Sequence, residues 1–135
     1  MAKSLSQVVP VLVAALVCDV AVTEPHTKKK SLIGLFDRLS ASSFPTKRAV
    51  SLYLKIADAE GHYELEVRFV HLNTGNVVAK AEGKLEQSDR LASAELLITF
   101  PPLEFSEPGR YEFQVWANSA FLGSTTIDAV AQPSR

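Results

Sequence analysis

The sequence predicts an all-β, two-sheet sandwich of about eight mostly antiparallel strands, and three observations carry that expectation. Apolar residues recur at every second position through most of the chain, the period of a strand with one buried face. No apolar stripe of helical period runs long enough to make a helix. The stretch Glu107-Pro108-Gly109-Arg110-Tyr111-Glu112-Phe113-Gln114-Val115-Trp116 reads as a turn at Pro108-Gly109 feeding a core strand. An acidic residue, a small residue and a tyrosine ahead of an inward position two places on is the spacing of the tyrosine corner of immunoglobulin-like sandwiches. Glu107, Gly109 and Tyr111 are accordingly expected to build that corner. Phe113 stands where antibody domains carry a cysteine, so the sandwich is expected to have no disulfide and to pack an aromatic ring there instead.

At the N-terminus, Lys3 followed by an apolar run over residues 8–17 has the first two regions of a secretory signal. The run is short, is broken by Pro10 and Asp19, and lacks a small-x-small cleavage junction. It is read as a retained first strand of a cytoplasmic protein, with secretion or periplasmic location following only if residues 1 to about 21 are removed. Residues 11–18 are continuously apolar, as in a strand covered on both faces. A polar connection with Pro25 and three consecutive lysines leads to a second strand over residues 31–39. There Ile33 and Leu35 face one side and Leu32, Gly34 and Phe36 the other, so two successive strands are apolar on both faces.

Later segments alternate more cleanly. After a loop at 41–47, Val50, Leu52, Leu54 and Ile56 alternate with Ser51, Tyr53 and Lys55. Tyr63, Leu65, Val67 and Phe69 then oppose Glu64, Glu66 and Arg68, and Asn73-Thr74-Gly75-Asn76 is a hairpin signal. The return strand is expected to set Val77, Ala79, Ala81, Gly83 and Leu85 inward, the small ones leaving room for bulky partners on the facing sheet. Ala94, Leu96, Ile98 and Phe100 alternate up to Pro101-Pro102. For the last hairpin, a three-residue loop Asn118-Ser119-Ala120 pairing Ala117 with Phe121 is expected, because it places Phe121 and Ile127 on the Tyr111 face. One domain over 1–131 and a short tail at 132–135 result.

With 135 residues, an apolar share of 47% and a formal net charge of −1, the chain can bury a self-sufficient core and has no electrostatic bias toward nucleic acid or anionic membrane. Cys18 is the single cysteine and has no partner for an internal disulfide.

The apolar first strand ending at Cys18-Asp19, the stretch Lys30-Ser31-Leu32-Ile33-Gly34-Leu35-Phe36-Asp37, Ser43-Phe44-Pro45 and the Glu107-Pro108-Gly109-Arg110-Tyr111-Glu112-Phe113 corner together resemble an uncharacterised bacterial family of small β-sandwich domains of unknown function. The resemblance spans nearly the whole chain and implies the fold and a retained N-terminal strand, but no activity. Asn118-Ser119 stands where that pattern has Asp-Gly.

No catalytic motif is present, and His26, His62 and His71 have neither paired spacing nor a nearby cysteine, so no metal or cofactor and no enzymatic activity are expected. The function expected is a protein-interaction or assembly module that also contacts copies of itself. Leu32 and Phe36, on strands with two apolar faces, and Trp116, placed outward by parity, are the expected partner-binding residues. The alternative is a ligand-binding or enzymatic domain using the loop ends near Asp37, Phe44 and Glu107.

Overall fold

The computed structural model describes residues 8–132. Its strands are β1 (Val11–Thr23), β2 (Lys30–Leu35), β3 (Arg38–Ala41), β4 (Thr46–Ala57), β5 (Gly61–His71), β6 (Asn76–Gln87), β7 (Ala94–Phe105), β8 (Gly109–Ala117) and β9 (Ala120–Ala131). They form a four-stranded sheet in the order β2-β1-β4-β7 and a five-stranded sheet in the order β3-β9-β8-β5-β6. Every pairing is antiparallel except that of β3 with β9. The protein is thus an all-β, two-sheet sandwich, and among the described residues no helix is long and apolar enough to cross a membrane.

The run expected as one strand over residues 31–39 is two strands. At Phe36-Asp37 the chain leaves the four-stranded sheet, and Arg38 joins the other sheet beside Asp128. The Asp37 carbonyl accepts the Asp128 N–H at 2.9 Å across this crossing. Alternation of apolar residues persists through such a crossover, so the pattern could not reveal it.

Between the sheets lies an aromatic core. Phe69 of β5 meets Phe113 at 4.6 Å, stacks on Tyr111 at 5.5 Å and meets Phe105 edge-on at 5.5 Å. Phe100 reaches Phe113 at 5.4 Å, and Phe105 reaches Tyr111 at 4.9 Å. Val17, Leu52, Leu54, Leu103 and Ile127 complete this core, and Ala79 and Ala81 of β6 pack against its side.

Tyr111 is fully buried, and its hydroxyl donates to the Glu107 carbonyl at 2.7 Å while accepting the Glu107 N–H at 3.3 Å. Gly109, with φ of +149°, allows the close approach, because a Cβ there would stand 2.8 Å from Asn73 Nδ2. The same device recurs at the β4–β5 turn, where the Tyr63 hydroxyl donates to the Glu60 carbonyl at 3.0 Å and accepts the Glu60 N–H at 2.9 Å.

The last hairpin corrects the expected turn. Ala117 pairs with Ala120 across a two-residue loop, and Asn118 and Ser119 have φ of 47° and 67°, the positive values of a type I′ turn. A bulge between Val115 and Trp116 shifts the register, so Phe121 pairs with Trp116 on the outside while Ile127 still faces inward opposite Tyr111. A parity argument that assumes an unbroken ladder cannot produce both orientations from a two-residue loop.

Removing the corner hydroxyl by Tyr111→Phe should lower stability by about 0.5–1.5 kcal/mol, the net value of a buried hydrogen bond, with a further cost for the stranded Glu107 carbonyl. Urea unfolding of the two proteins measures it, and a difference within error would remove the corner from the list of stabilising contacts.

Candidate functional site

Because Leu52, Leu54 and Ile56 of β4 face the core, Ser51, Tyr53 and Lys55 point to the outer face of the four-stranded sheet. Their partners on β1 are Cys18, Leu16 and Ala14, and on β7 Thr99, Leu97 and Glu95. Cys18, Ser51 and Tyr53 are themselves buried. Burial, and then the neighbouring Asp19 carboxylate, push the Cys18 thiol above its ordinary pKa. The Tyr53 hydroxyl donates to the Glu95 carboxylate, and burial together with that carboxylate pushes its pKa up to about 12.

Strand β1 is shared unequally between its two neighbours. Its residues 11–18 pair with β4 and its residues 18–23 pair with β2, so the overlap is confined to Cys18, with Leu35 and Ser51 beside it, and to Val17, which pairs with Leu52 and accepts the Phe36 N–H. Beyond Cys18, β1 and β2 therefore continue as a two-stranded ribbon. On its outer side this ribbon carries Val20 (47% exposed), Val22 (46%), Ile33 (59%) and Leu35 (58%), continuous with Leu16 (40%) on the sheet. Val11 and Val13 are exposed further along β1. A two-stranded ribbon is marginal by itself in water, and large contiguous apolar patches are rare on the surface of a monomeric domain.

The base of the ribbon is fixed from its inner side. The Arg48 guanidinium lies 5.2 Å over the Phe36 ring and 3.2 Å from the Asp19 carboxylate. Gly34, opposite Asp19, has φ of +73°, and any Cβ there would collide with that carboxylate. The Gly34 backbone and the Phe36 ring set the direction in which the ribbon leaves the sheet, with the exposed pair of charges adding little.

These placements distribute the expected partner-binding residues as follows. Leu32 is half-buried and pairs with Ala21, and Phe36 is half-buried against the core. Both lie on the inner side, and it is Ile33 and Leu35 that are open. Trp116 sits on the opposite sheet and is half-buried, with Arg68 over its face at 4.7 Å and Phe121 edge-on at 5.2 Å. It therefore does not extend the β1–β2 surface. Beside it a cleft of about 520 Å³ is lined by Glu64, Glu66, Arg68, Glu82 and Lys84. Arg68 pairs with Glu66, while Lys80 reaches Glu82 at 3.2 Å and Glu66 at 3.5 Å, so four of these charged groups are engaged with one another.

The loop ends of the alternative reading are held by separate partners. Asp37 is held through its carbonyl by Asp128, Phe44 packs against the core, and the Glu107 carboxylate lies 3.4 Å from the buried His71, which stacks on Tyr111 at 4.4 Å. Among the described residues no group of three or more His, Cys, Asp or Glu side chains is placed to hold a metal ion.

A small two-sheet β domain with an apolar ribbon at one edge is what the fold and surface define. The chain belongs to a family of unknown function, DUF6941, whose model matches residues 13–130. No curated protein matches it. Among solved structures, it is similar to Pseudomonas fluorescens alkylpurine DNA glycosylase AlkC bound to DNA containing an abasic site analog, with 15% identity and a TM-score of 0.48. That similarity covers 70% of this chain and 28% of the glycosylase chain.

Two measurements check the site's geometry. Gly34→Ala should cost about 1–3 kcal/mol for a non-glycine residue at positive φ. Part of any further cost from the collision with the carboxylate should be recovered when Asp19→Ala is combined with it, as read by a double-mutant cycle of unfolding free energies. Tyr53 has a folded pKa above its unfolded value, so its contribution to stability is complete below about pH 10 and is lost as pH rises through about 12. Across that window wild type should lose more stability than Tyr53→Phe, and equal losses would disconnect the hydroxyl from the pH dependence.

Proposed function

We propose that this domain is a non-enzymatic protein-interaction or assembly module whose contact surface is the outer face of the β1–β2 ribbon and the adjoining sheet. One observation carries the reading: Val20, Val22, Ile33 and Leu35 are exposed together on one face and continue into Leu16. A single sandwich has one interior, and these side chains lie outside it. Covering them with a protein surface removes apolar area from water and gives a marginal ribbon a second support. The tyrosine corner at Tyr111 supports reading the sandwich as immunoglobulin-like. The unpaired Cys18 suits a reducing compartment such as the cytoplasm. Nucleic acid is not the partner favoured by a chain of net charge −1. The ligand-binding alternative would need Asp37, Phe44 and Glu107 to converge on one ligand, whereas each sits against a different neighbour: Asp37 is tied to Asp128 through its backbone carbonyl, Phe44 packs against the core and Glu107 lies beside His71.

The test compares wild type with Val20→Glu combined with Leu35→Glu, and with Phe121→Glu on the opposite sheet as control. Solution mass by light scattering and capture of partners from native lysate are read together, with folding verified by circular dichroism. The double variant should weaken association by roughly tenfold or more, and the control should leave it unchanged. A monomeric wild type that captures nothing, or equal association by all three proteins, would overturn the reading.

A further inference from the structure

We propose that a second copy of this chain packs its four-stranded sheet face to face on the first, the β1 strands antiparallel and the two-fold axis passing beside Cys18, so that the ribbon of each copy lies over the β4-paired half of β1 in the other. The inference rests on the outer face of the ribbon being the contact surface, and it specifies the partner and its orientation.

Geometry supplies the first argument. Cys18 divides β1 into a half from Val11 that pairs with β4 and a half to Thr23 that pairs with β2. At about 3.3 Å per residue the halves are roughly 23 and 17 Å long, and the turn over residues 24–29 extends the shorter one. A half-turn about Cys18 therefore lays one half over the other with little overhang. Cross-strand partners share a face, so pairing with Ala57, Lys55 and Tyr53 sets Val11, Ala14 and Leu16 outward. Val20 and Val22 lie on that same outer face farther along β1, beside Ile33. Residues equidistant from the axis meet, so Val20 of each copy rests on Leu16 of the other and Val22 on Ala14. Leu16 and Val20, 40% and 47% exposed in the single chain, then close over one another as side chains do between the sheets of a sandwich.

Charge supplies the second argument. The turn at the end of the ribbon is closed by the Glu24 N–H donating to the Lys29 carbonyl and the Lys28 N–H donating to the Glu24 carbonyl, both at 2.8 Å. The Glu24 carboxylate accepts the Thr27 N–H, which holds it below the usual carboxylate range, so it is engaged within the turn. Lys28, Lys29 and Lys30 take part in none of the ion pairs among the described residues. The other end of the sheet is acidic, with Asp58 and Glu60 exposed in the turn that follows Ala57, the β4 partner of Val11. On the face between, Lys55 stands opposite Glu95, so that row is neutral. Antiparallel stacking brings each lysine turn to the Asp58 turn of the other copy, whereas parallel stacking would set lysines on lysines and carboxylates on carboxylates. The net charge of −1 leaves little general repulsion between copies.

One chain thus carries both members of the match, an apolar ribbon and an apolar half-strand of similar reach, a basic turn and an acidic one. A patch complementary to itself is what an isologous two-fold interface requires, and it is why the occupant is a second copy rather than an unrelated protein. The outer face of the five-stranded sheet offers no such match, because Glu66, Arg68, Lys80 and Glu82 there pair with one another.

The experiment measures dimerisation of the full chain by sedimentation equilibrium and by oxidative cross-linking, with the folding of each variant verified by circular dichroism. Lys29→Glu and Asp58→Lys should each weaken the dimer roughly tenfold, because each contact occurs twice, and the two together in one chain should restore it. Simple damage to the fold does not give that rescue. In a Cys18→Ala background, Leu16→Cys combined with Val20→Cys should form a disulfide-linked dimer on oxidation. Neither alone should, because like positions lie about 13 Å apart across the axis, and the same spacing along one strand prevents a bond within the chain. A wild type still monomeric at about 100 µM, charge swaps that fail to rescue one another, no cross-link from the combined cysteines or a cross-link from either alone would overturn the face-to-face pairing. A monomeric wild type whose capture of lysate partners is lost on combining Val20→Glu with Leu35→Glu would overturn the self-pairing and leave the contact surface standing, so the two failures are distinguishable.

Discussion

Phe69 touches Phe105, Tyr111 and Phe113, and through them the two sheets are held as one body. Phe105 belongs to the four-stranded sheet and the other three rings to the five-stranded one, so the cluster bridges the interior. Its rings must stack and meet edge to face, which fixes the pairing of β5 with β8 to within a residue, because a slip of one position would turn Phe69 and Phe113 to opposite faces. The Tyr111 hydroxyl then ties the β7–β8 turn to this cluster by its two bonds to Glu107. Gly109, two residues before the ring, lets the Asn73 side chain pack against the turn, where a Cβ would stand 2.8 Å from its Nδ2. The small residues of β6 follow from the same constraint, since Ala79 and Ala81 lie beside a volume already filled by aromatic rings.

Strand β1 is not paired with β4 along its whole length. Its first half pairs with β4 and lines the core through Leu12, Ala15 and Val17, while its second half runs past the last β4 partner and is supported only by β2. The division falls at Cys18. Everything proposed about function originates there, because the projecting half keeps the apolar composition of a sheet strand without a second layer over its outer face. Arg48, Asp19, Phe36 and Gly34 give the projection a fixed direction, through one exposed ion pair, one cation–π contact and one backbone conformation reserved for glycine. Exposed ion pairs contribute little to stability, so the orientation rests chiefly on the Gly34 backbone and the buried side of Phe36.

The all-β class, most of the alternation in β4 to β8 and the corner at Tyr111 were legible because each depends on residues close in sequence; Val77, which alternation places inward, is exposed because the ladder shifts register between Phe69 and Val70. The candidate surface was legible only in part. Ile33 and Leu35 could be assigned to one face and Leu32 and Phe36 to the other, but both faces are apolar, and alternation identifies faces without saying which is inside. The crossing at Phe36-Asp37 was hidden for the same reason. Trp116 could be placed outward, yet its distance from the β1–β2 ribbon and its cover by Arg68 and Phe121 depend on sheet order and cross-strand register, which no local pattern encodes.

The sequence by itself determined that this chain makes strands, where most of them turn, and that residues 11–18 and 31–36 carry more apolar surface than one core requires. Those properties follow from side-chain periodicity and turn chemistry, which act over a few residues. The tertiary structure alone decided that β1 divides its pairing at Cys18, that a bulge at Trp116 reconciles a two-residue turn with an inward Ile127, and that Val20, Val22, Ile33 and Leu35 remain outside. Each of those outcomes is set by competition among distant strands for a single interior, and that competition is resolved only when the nine strands of the described residues are in place.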